Sequence, residues 1–188
     1  MDYYDSKENV EEYIRMAESY DGRQLIETLQ RYLPPHSTVL ELGLGPGKDL
    51  ELLAQSYIVT GSDKSNIFLQ RYQSSHPLAE LLQLDAISLE TNRRFQALYS
   101  NKTLQHLSRE ELTLSLQRQL EVLHVGGFAV HSLWYGVGEE NVAGCKFSYY
   151  TEDEIKEILP EAYRLVEIYR YKEMEDDDSL CIVLQRLA

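Results

Sequence analysis

Two cysteines in 188 residues leave no basis for a disulfide-stapled scaffold. Cys145 and Cys181 lack metal-ligand spacing, so they read as two reduced thiols of a cytoplasmic protein. No apolar run approaches the roughly 20 residues that a membrane helix needs. Positive charge is scarce: 18 Lys and Arg stand against 31 Asp and Glu, for a net charge of −13. Phosphate neutralisation needs a basic face, so nucleic acid is not an expected partner, and neither is an anionic bilayer. The opening Met1-Asp2-Tyr3-Tyr4-Asp5 lacks the basic and apolar regions of a secretion signal. There is no G-x-S-x-G nucleophile turn, no cluster of metal ligands, no internal repeat and no low-complexity tract. What is present is 43% hydrophobic content, enough to bury one sizeable core.

That core is organised around Val39-Leu40-Glu41-Leu42-Gly43-Leu44-Gly45-Pro46-Gly47. An apolar strand breaks into a glycine turn, and a helical pattern follows from Asp49 to Ala54. Strand, glycine turn and helix start together make a nucleotide-cofactor site at the carboxyl edge of a parallel sheet. The dinucleotide fingerprint is G-x-G-x-x-G, but here the spacing is G-x-G-x-G and Lys48 stands where the third glycine would be. Glu41 precedes the first glycine, and an acid there repels a pyrophosphate and suits a cation. Glu41-x-Gly43-x-Gly45-x-Gly47 resembles the first motif of class I S-adenosylmethionine-dependent methyltransferases, whose cofactor carries an ammonium and a sulfonium. The alternatives are an NAD(P)-binding oxidoreductase or a protein that binds S-adenosylmethionine without doing chemistry.

In chain order, Val10, Tyr13, Ile14 and Ala17 mark an amphipathic helix, and a second runs from about Arg23 to Leu33 before Pro34-Pro35. This segment is expected to cover the cofactor edge. Tyr57-Ile58-Val59-Thr60-Gly61 reads as the second strand with Asp63 at its tip, placed to accept both ribose hydroxyls, while Ser65 caps the helix from Asn66 to Ser75. Leu81–Leu84 is the third strand and Phe95–Tyr99 the fourth. Ser108-Arg109-Glu110-Glu111 is a capping box that opens a helix to about Leu123, and Phe128–Trp134 is the fifth strand. Tyr135–Tyr150 shows no periodicity and reads as an irregular loop. A second capping box, Thr151–Glu154, starts a helix that ends near Pro160. Leu165–Tyr171 and Leu180–Leu187 have no room for a crossover between them and must pair antiparallel.

The resemblance spans about Asp21 to Phe128, including Leu104–Ser108 and Leu123–Phe128. It implies a Rossmann-like α/β domain with a mostly parallel seven-stranded sheet, order 3-2-1-4-5-7-6, strand 7 antiparallel. The expected parts are a helical cover (1–36), a cofactor core (37–135) and a substrate loop, helix and hairpin (136–188). It also implies that Asp85 meets the adenine amine and the Ala86 amide a ring nitrogen. The cofactor set then holds Glu41, Gly43, Leu44, Gly45, Gly47, Asp49, Asp63, Lys64, Asp85, Ala86, Ser100 and Asn101. Where the family often has a glycine turn before the last strands, this chain has Pro160-Glu161-Ala162-Tyr163.

No asparagine-proline-proline-tyrosine type motif follows the fourth strand; Ser100-Asn101-Lys102-Thr103 stands there. With the acidic surface, that favours a small-molecule acceptor. Its pocket is expected between the cover, the segment after the fourth strand and the 135–150 loop, walled by Tyr13, Tyr20, Trp134, Tyr135, Tyr149 and Tyr150. His106 is the candidate general base, with packing at a helix start as the competing role, and His131 reads as core.

Overall fold

The computed structural model describes residues 3–142 and 144–188. Met1 and Asp2, at the start of the expected cover, lie outside the described residues, as does Ala143 in the expected loop. Five strands run parallel: β1 (Thr38–Leu42), β2 (Ile58–Asp63), β3 (Leu81–Gln83), β4 (Phe95–Asn101) and β5 (Leu123–Tyr135). Their order is β3-β2-β1-β4-β5, so β1 is central and its glycine turn faces the crevice where the strand order reverses. Beyond β5 lies β9 (Ser179–Arg186), antiparallel to β5 and to β8 (Tyr163–Tyr171). These seven strands have the expected order.

Between β5 and the last helix the chain departs from the expected loop. β6 (Gly138–Val142) and β7 (Cys145–Tyr150) form a hairpin, which brings the sheet to nine strands among the described residues. Its root joins β5 through Trp134↔Tyr149 and Tyr135↔Tyr150. All of β6 is exposed, so it carries none of the in-out alternation by which strands are read from sequence.

The helices are α1 (Lys7–Met16), α2 (Arg23–Gln30), α3 (Lys48–Leu53), α4 (Asn66–Ser75), α5 (Arg109–Val122) and α6 (Glu152–Ile158). Both capping boxes form: Ser108 with Glu111 starts α5, and Thr151 with Glu154 starts α6. The period of two along β1 feeds two cores. Leu40 and Leu42 join Leu98, Leu112 and Leu116 on one face, and Val39 joins Leu25, Leu29 and Val183 on the other. No helix among the described residues is long and apolar enough to cross a membrane.

One polar chain runs through the first core. Ser100 Oγ donates to His131 Nδ1 (2.8 Å), and His131 Nε2 donates to Gln119 Oε1 (2.8 Å). Gln119 Nε2 donates to Ser115 Oγ (3.2 Å), which donates to the Ala86 carbonyl (2.6 Å). With Nε2 committed as donor to Gln119, a neutral imidazole leaves Nδ1 to accept from Ser100. Burial agrees, pushing the His131 pKa down from 6.5 to about 3. The unfolded chain binds the proton first, so His131 stabilises the fold fully above pH 6.5 and loses that contribution as pH falls toward 3. At pH 4 the loss is on the order of 3 kcal/mol. Urea unfolding at pH 7 and pH 4 checks this, and His131→Gln should be weaker at pH 7 and flatter between the two. Ser100, expected in the cofactor set, is fully buried in this network, away from the crevice.

Candidate cofactor-binding crevice

β1 ends at Leu42, and Gly43, Gly45 and Gly47 follow with φ of +71°, +49° and +88°. The left-handed region is open to glycine at little cost. A Cβ on Gly43 would lie 2.4 Å from Thr103 Oγ1 and Cγ2, and one on Gly47 would lie 2.2 Å from the Tyr72 ring. The outer two glycines therefore let the chain after β4 and α4 close in, and Gly45 sits under Tyr13. Gly47, expected to touch cofactor, caps α3 against Tyr72 and does not line the crevice. Leu44 has its side chain in a small core with Leu50 and Tyr72, and its amide donates to the Ser62 carbonyl (2.8 Å).

Four acids stand at or near this edge. Glu41 is 2% exposed, and its Oε2 has no hydrogen-bond partner among the described residues. Burial, and then the nearby Asp49 and Asp63, raise its pKa well above the ordinary carboxylate value. Asp63 Oδ2 accepts from the Gly45 amide (3.0 Å) and Oδ1 from the Ser65 amide (2.8 Å). The expected side-chain cap by Ser65 does not form; Ser65 Oγ donates to the Tyr4 carbonyl instead (2.7 Å). Asp85 accepts from the Ile87 amide (2.7 Å) and pairs with Lys64 (3.2 Å). Asp49 is filled from three sides, by the Gly22 amide (2.7 Å), the Tyr99 hydroxyl (2.7 Å) and Asn101 Nδ2 (3.0 Å). It braces α2, α3 and β4 at the crevice wall.

Two adjoining cavities occupy the edge, of about 380 Å³ and 100 Å³, and they share Tyr13, Gly43, Gly45 and Lys102. The larger is lined by Asp63, Lys64, Asp85, Ala86 and His106, and the smaller by Tyr20, Glu41, Leu44, Asp49 and Asn101. The cover is tied down by polar bonds. Lys48 Nζ donates to the Ala17 carbonyl (3.0 Å) and to that of Glu18, and Tyr4 packs on Tyr13, Phe68 and His106. His106 Nδ1 donates to the Lys146 carbonyl (2.8 Å), which sets its tautomer, and its ring meets Phe147 at 5.0 Å.

The expected acceptor walls divide. Tyr13 and Tyr20 line the crevice, whereas Trp134, Tyr135, Tyr149 and Tyr150 do not. Those four stand at the root of the β6–β7 hairpin, and the other end of the hairpin, at Gly144, Cys145 and Lys146, reaches the cavity. Trp134 lies under the Lys102 ammonium (3.4 Å) and Tyr135 under Arg170 (3.6 Å). Tyr149 donates to Glu140, and Tyr150 donates to the Leu107 carbonyl (3.2 Å).

Several crevice residues escaped the sequence reading, Lys102 and Glu173 among them. Lys102 directly follows β4, a strand-tip position that was a usable signal. It adopts φ +54° and sends Nζ to the Leu133 carbonyl (3.0 Å) and Ser179 Oγ (2.7 Å). Burial lowers its pKa to about 7, against the opposing pull of Glu173 and Asp178. Glu173, from the β8–β9 connection, lines the smaller cavity and had no sequence signal.

A glycine cradle, a buried acid with an unpartnered oxygen and acids at successive strand ends meet in one crevice. Residues 39–127 match the family of methyltransferase domains. That match covers just under half of the chain, from β1 into β5. Among curated proteins no sequence matches the chain. A solved S-adenosylmethionine-dependent methyltransferase from Clostridium acetobutylicum superposes with TM-score 0.75 at 14% identity, over 93% of this chain and 96% of that one. The 1,6-didemethyltoxoflavin-N1-methyltransferase of Burkholderia thailandensis gives 0.76 at 18% identity, over 88% and 78%. The N-methyltransferase NodS of Bradyrhizobium japonicum gives 0.69 at 20%, over 87% and 84%. The latter two hold S-adenosylhomocysteine. Glu41 Oε2, buried and without a partner among the described residues, gives this crevice an acceptor for a cationic group.

Proposed function

We propose that the protein transfers a methyl group from S-adenosylmethionine to a small-molecule acceptor by in-line displacement, as one domain of 188 residues acting in the cytoplasm. The observation that carries this reading is Glu41, buried, unpartnered at Oε2 and facing the smaller cavity beneath the glycine turn. Asp63 is assigned the ribose hydroxyls, and Asp85 with the Ala86 amide the adenine, over the larger cavity. Glu41, Leu44 and Asn101 are assigned the amino-acid tail. The cofactor supplies an activated methyl group on a good leaving sulfur. The chain's own part is to orient the partners and exclude water. Tyr4, Tyr13 and Phe68 close the edge against solvent. His106 is assigned as a wall of the larger cavity, its ring held by Lys146 and Phe147.

A methyl-transfer screen over a metabolite library, read by release of S-adenosylhomocysteine, tests the activity. Turnover with a small molecule is expected, and cofactor binding without turnover across the screen would favour a non-catalytic binder. Deleting residues 1–20 should leave the domain folded, because Val10 is the one core side chain that α1 and the turn after it contribute. Cofactor affinity should fall by about tenfold through lost aromatic closure and the lost Lys48 ties. Unchanged affinity and rate in the truncated protein would remove the cover from the mechanism.

A further inference from the structure

The two cavities of the crevice meet at a neck formed by Tyr13, Gly43, Gly45 and Lys102. Asp63 and Asp85 line the larger cavity only, and Glu41 and Asp49 the smaller only. No carboxylate lines both among the described residues. Gly43 and Gly45, at positive φ, give the neck a bare backbone floor. Tyr13 lies over that floor, with Cε1 3.6 Å from where a Cβ on Gly45 would stand. Tyr4 and Phe68 brace the Tyr13 ring in T-shaped contacts, with centroids 5.5 Å and 5.9 Å away. Those two line the larger cavity only and Tyr20 the smaller only, so among the described aromatic residues Tyr13 alone reaches both. Burial, and then Asp63 and Asp49, push its hydroxyl pKa up to about 12, which keeps the phenol neutral. Lys102 is the cation at the neck, and its ammonium is held by the Leu133 carbonyl (3.0 Å) and Ser179 Oγ (2.7 Å).

Resting on the methyltransferase reading above, we infer that Tyr13 senses the charge on the cofactor's sulfur, favouring the sulfonium of S-adenosylmethionine over the thioether of S-adenosylhomocysteine. Adenosine is assigned to the larger cavity and the amino-acid tail to the smaller. Sulfur is the atom that joins them, so it occupies the neck. A sulfonium there meets an aromatic ring and bare peptide backbone in place of a carboxylate. The ring attracts a cation through its quadrupole and has no comparable attraction for a neutral thioether. Adenine, ribose, ammonium and carboxylate are the same in both forms of the cofactor. Glu41, Asp63 and Asp85 therefore serve both forms through those shared groups, and their longer-range attraction for a cation persists in any Tyr13 variant. Only sulfur changes, and its charge is gone once the methyl group has left. The neck thus holds the loaded cofactor before transfer and loosens on the product after it.

The test is calorimetry of the full chain with S-adenosylmethionine and with S-adenosylhomocysteine, comparing wild type with variants at Tyr13. Tyr13→Leu should leave S-adenosylhomocysteine affinity within about twofold and lower the ratio of the two affinities, charged form over neutral, by at least about threefold. Tyr13→Phe keeps the ring and should hold that ratio within about 1.5-fold of wild type. A multiply fluorinated phenylalanine at the same position keeps the shape but drains the negative face of the ring, and should bring the ratio down toward that of Tyr13→Leu. A side chain that merely closed the crevice would move both affinities together. Equal losses for the two forms in Tyr13→Leu would overturn the inference, and so would a fluorinated ring that leaves the ratio unchanged. Wild-type protein that binds neither form would overturn the methyltransferase reading and this inference with it, a result distinct from binding whose preference survives every Tyr13 variant.

Discussion

Gly43→Val is expected to abolish measurable cofactor binding. At φ +71° a β-branched residue is strained by about 1–3 kcal/mol. Its Cβ would also lie 2.4 Å from Thr103, which must move. Thr103 follows Asn101 and Lys102, so both the glycine turn and the β4 tip shift where the cofactor tail is assigned. Urea unfolding should show the strain as lower stability, and titration with S-adenosylmethionine should show affinity down by more than about 100-fold. Gly126→Ala is the control. It has φ +79° but nothing within 4 Å of its Cβ position, and it lies away from the crevice. It should lose stability and keep affinity. If Gly43→Val binds as tightly as wild type, the cradle is not where the ligand sits.

Glu41→Gln is expected to act in opposite directions on stability and binding. The folded pKa of Glu41 is raised, so the native state holds a proton that the unfolded chain gives up above about 4.5. Its contribution to stability is fully present below that value and is lost as pH rises through the raised folded pKa. At neutral pH the neutral glutamine removes this loss, so the ligand-free variant should be more stable than wild type. It should bind S-adenosylmethionine more weakly, by about 1.5–3 kcal/mol for a charge-assisted contact, or one to two orders of magnitude in Kd. Wild-type affinity should rise with pH through the same window, because the cation selects the ionised acid. A variant that binds as tightly as wild type with the same pH dependence would remove Glu41 from the site.

The fold was legible where burial enforces a pattern. β1, β4 and β9 are mostly buried, largely apolar runs, and Glu41, Asp63 and Asp85 sit at or just beyond the carboxyl ends of strands that share one edge. Capping boxes declared α5 and α6 because their chemistry is local. The β6–β7 hairpin escaped because every residue of β6 is exposed, and the aromatics at its root were then assigned to the wrong end. Asp49 looked like a ligand at a helix start, but its partners come from Gly22, Tyr99 and Asn101, distant in sequence. Glu173 was invisible for the same reason: the sheet order, and nothing near it in the chain, carries it to the crevice.

Isothermal titration of the full chain with S-adenosylmethionine, in two buffers of different ionisation enthalpy, tests the central claim most directly. The expected result is one-to-one binding with proton release from Glu41, visible as heat that differs between the buffers at pH values below its raised folded pKa, and no heat with NAD or NADP. Heat with NAD or NADP, and none with S-adenosylmethionine or S-adenosylhomocysteine, would contradict it.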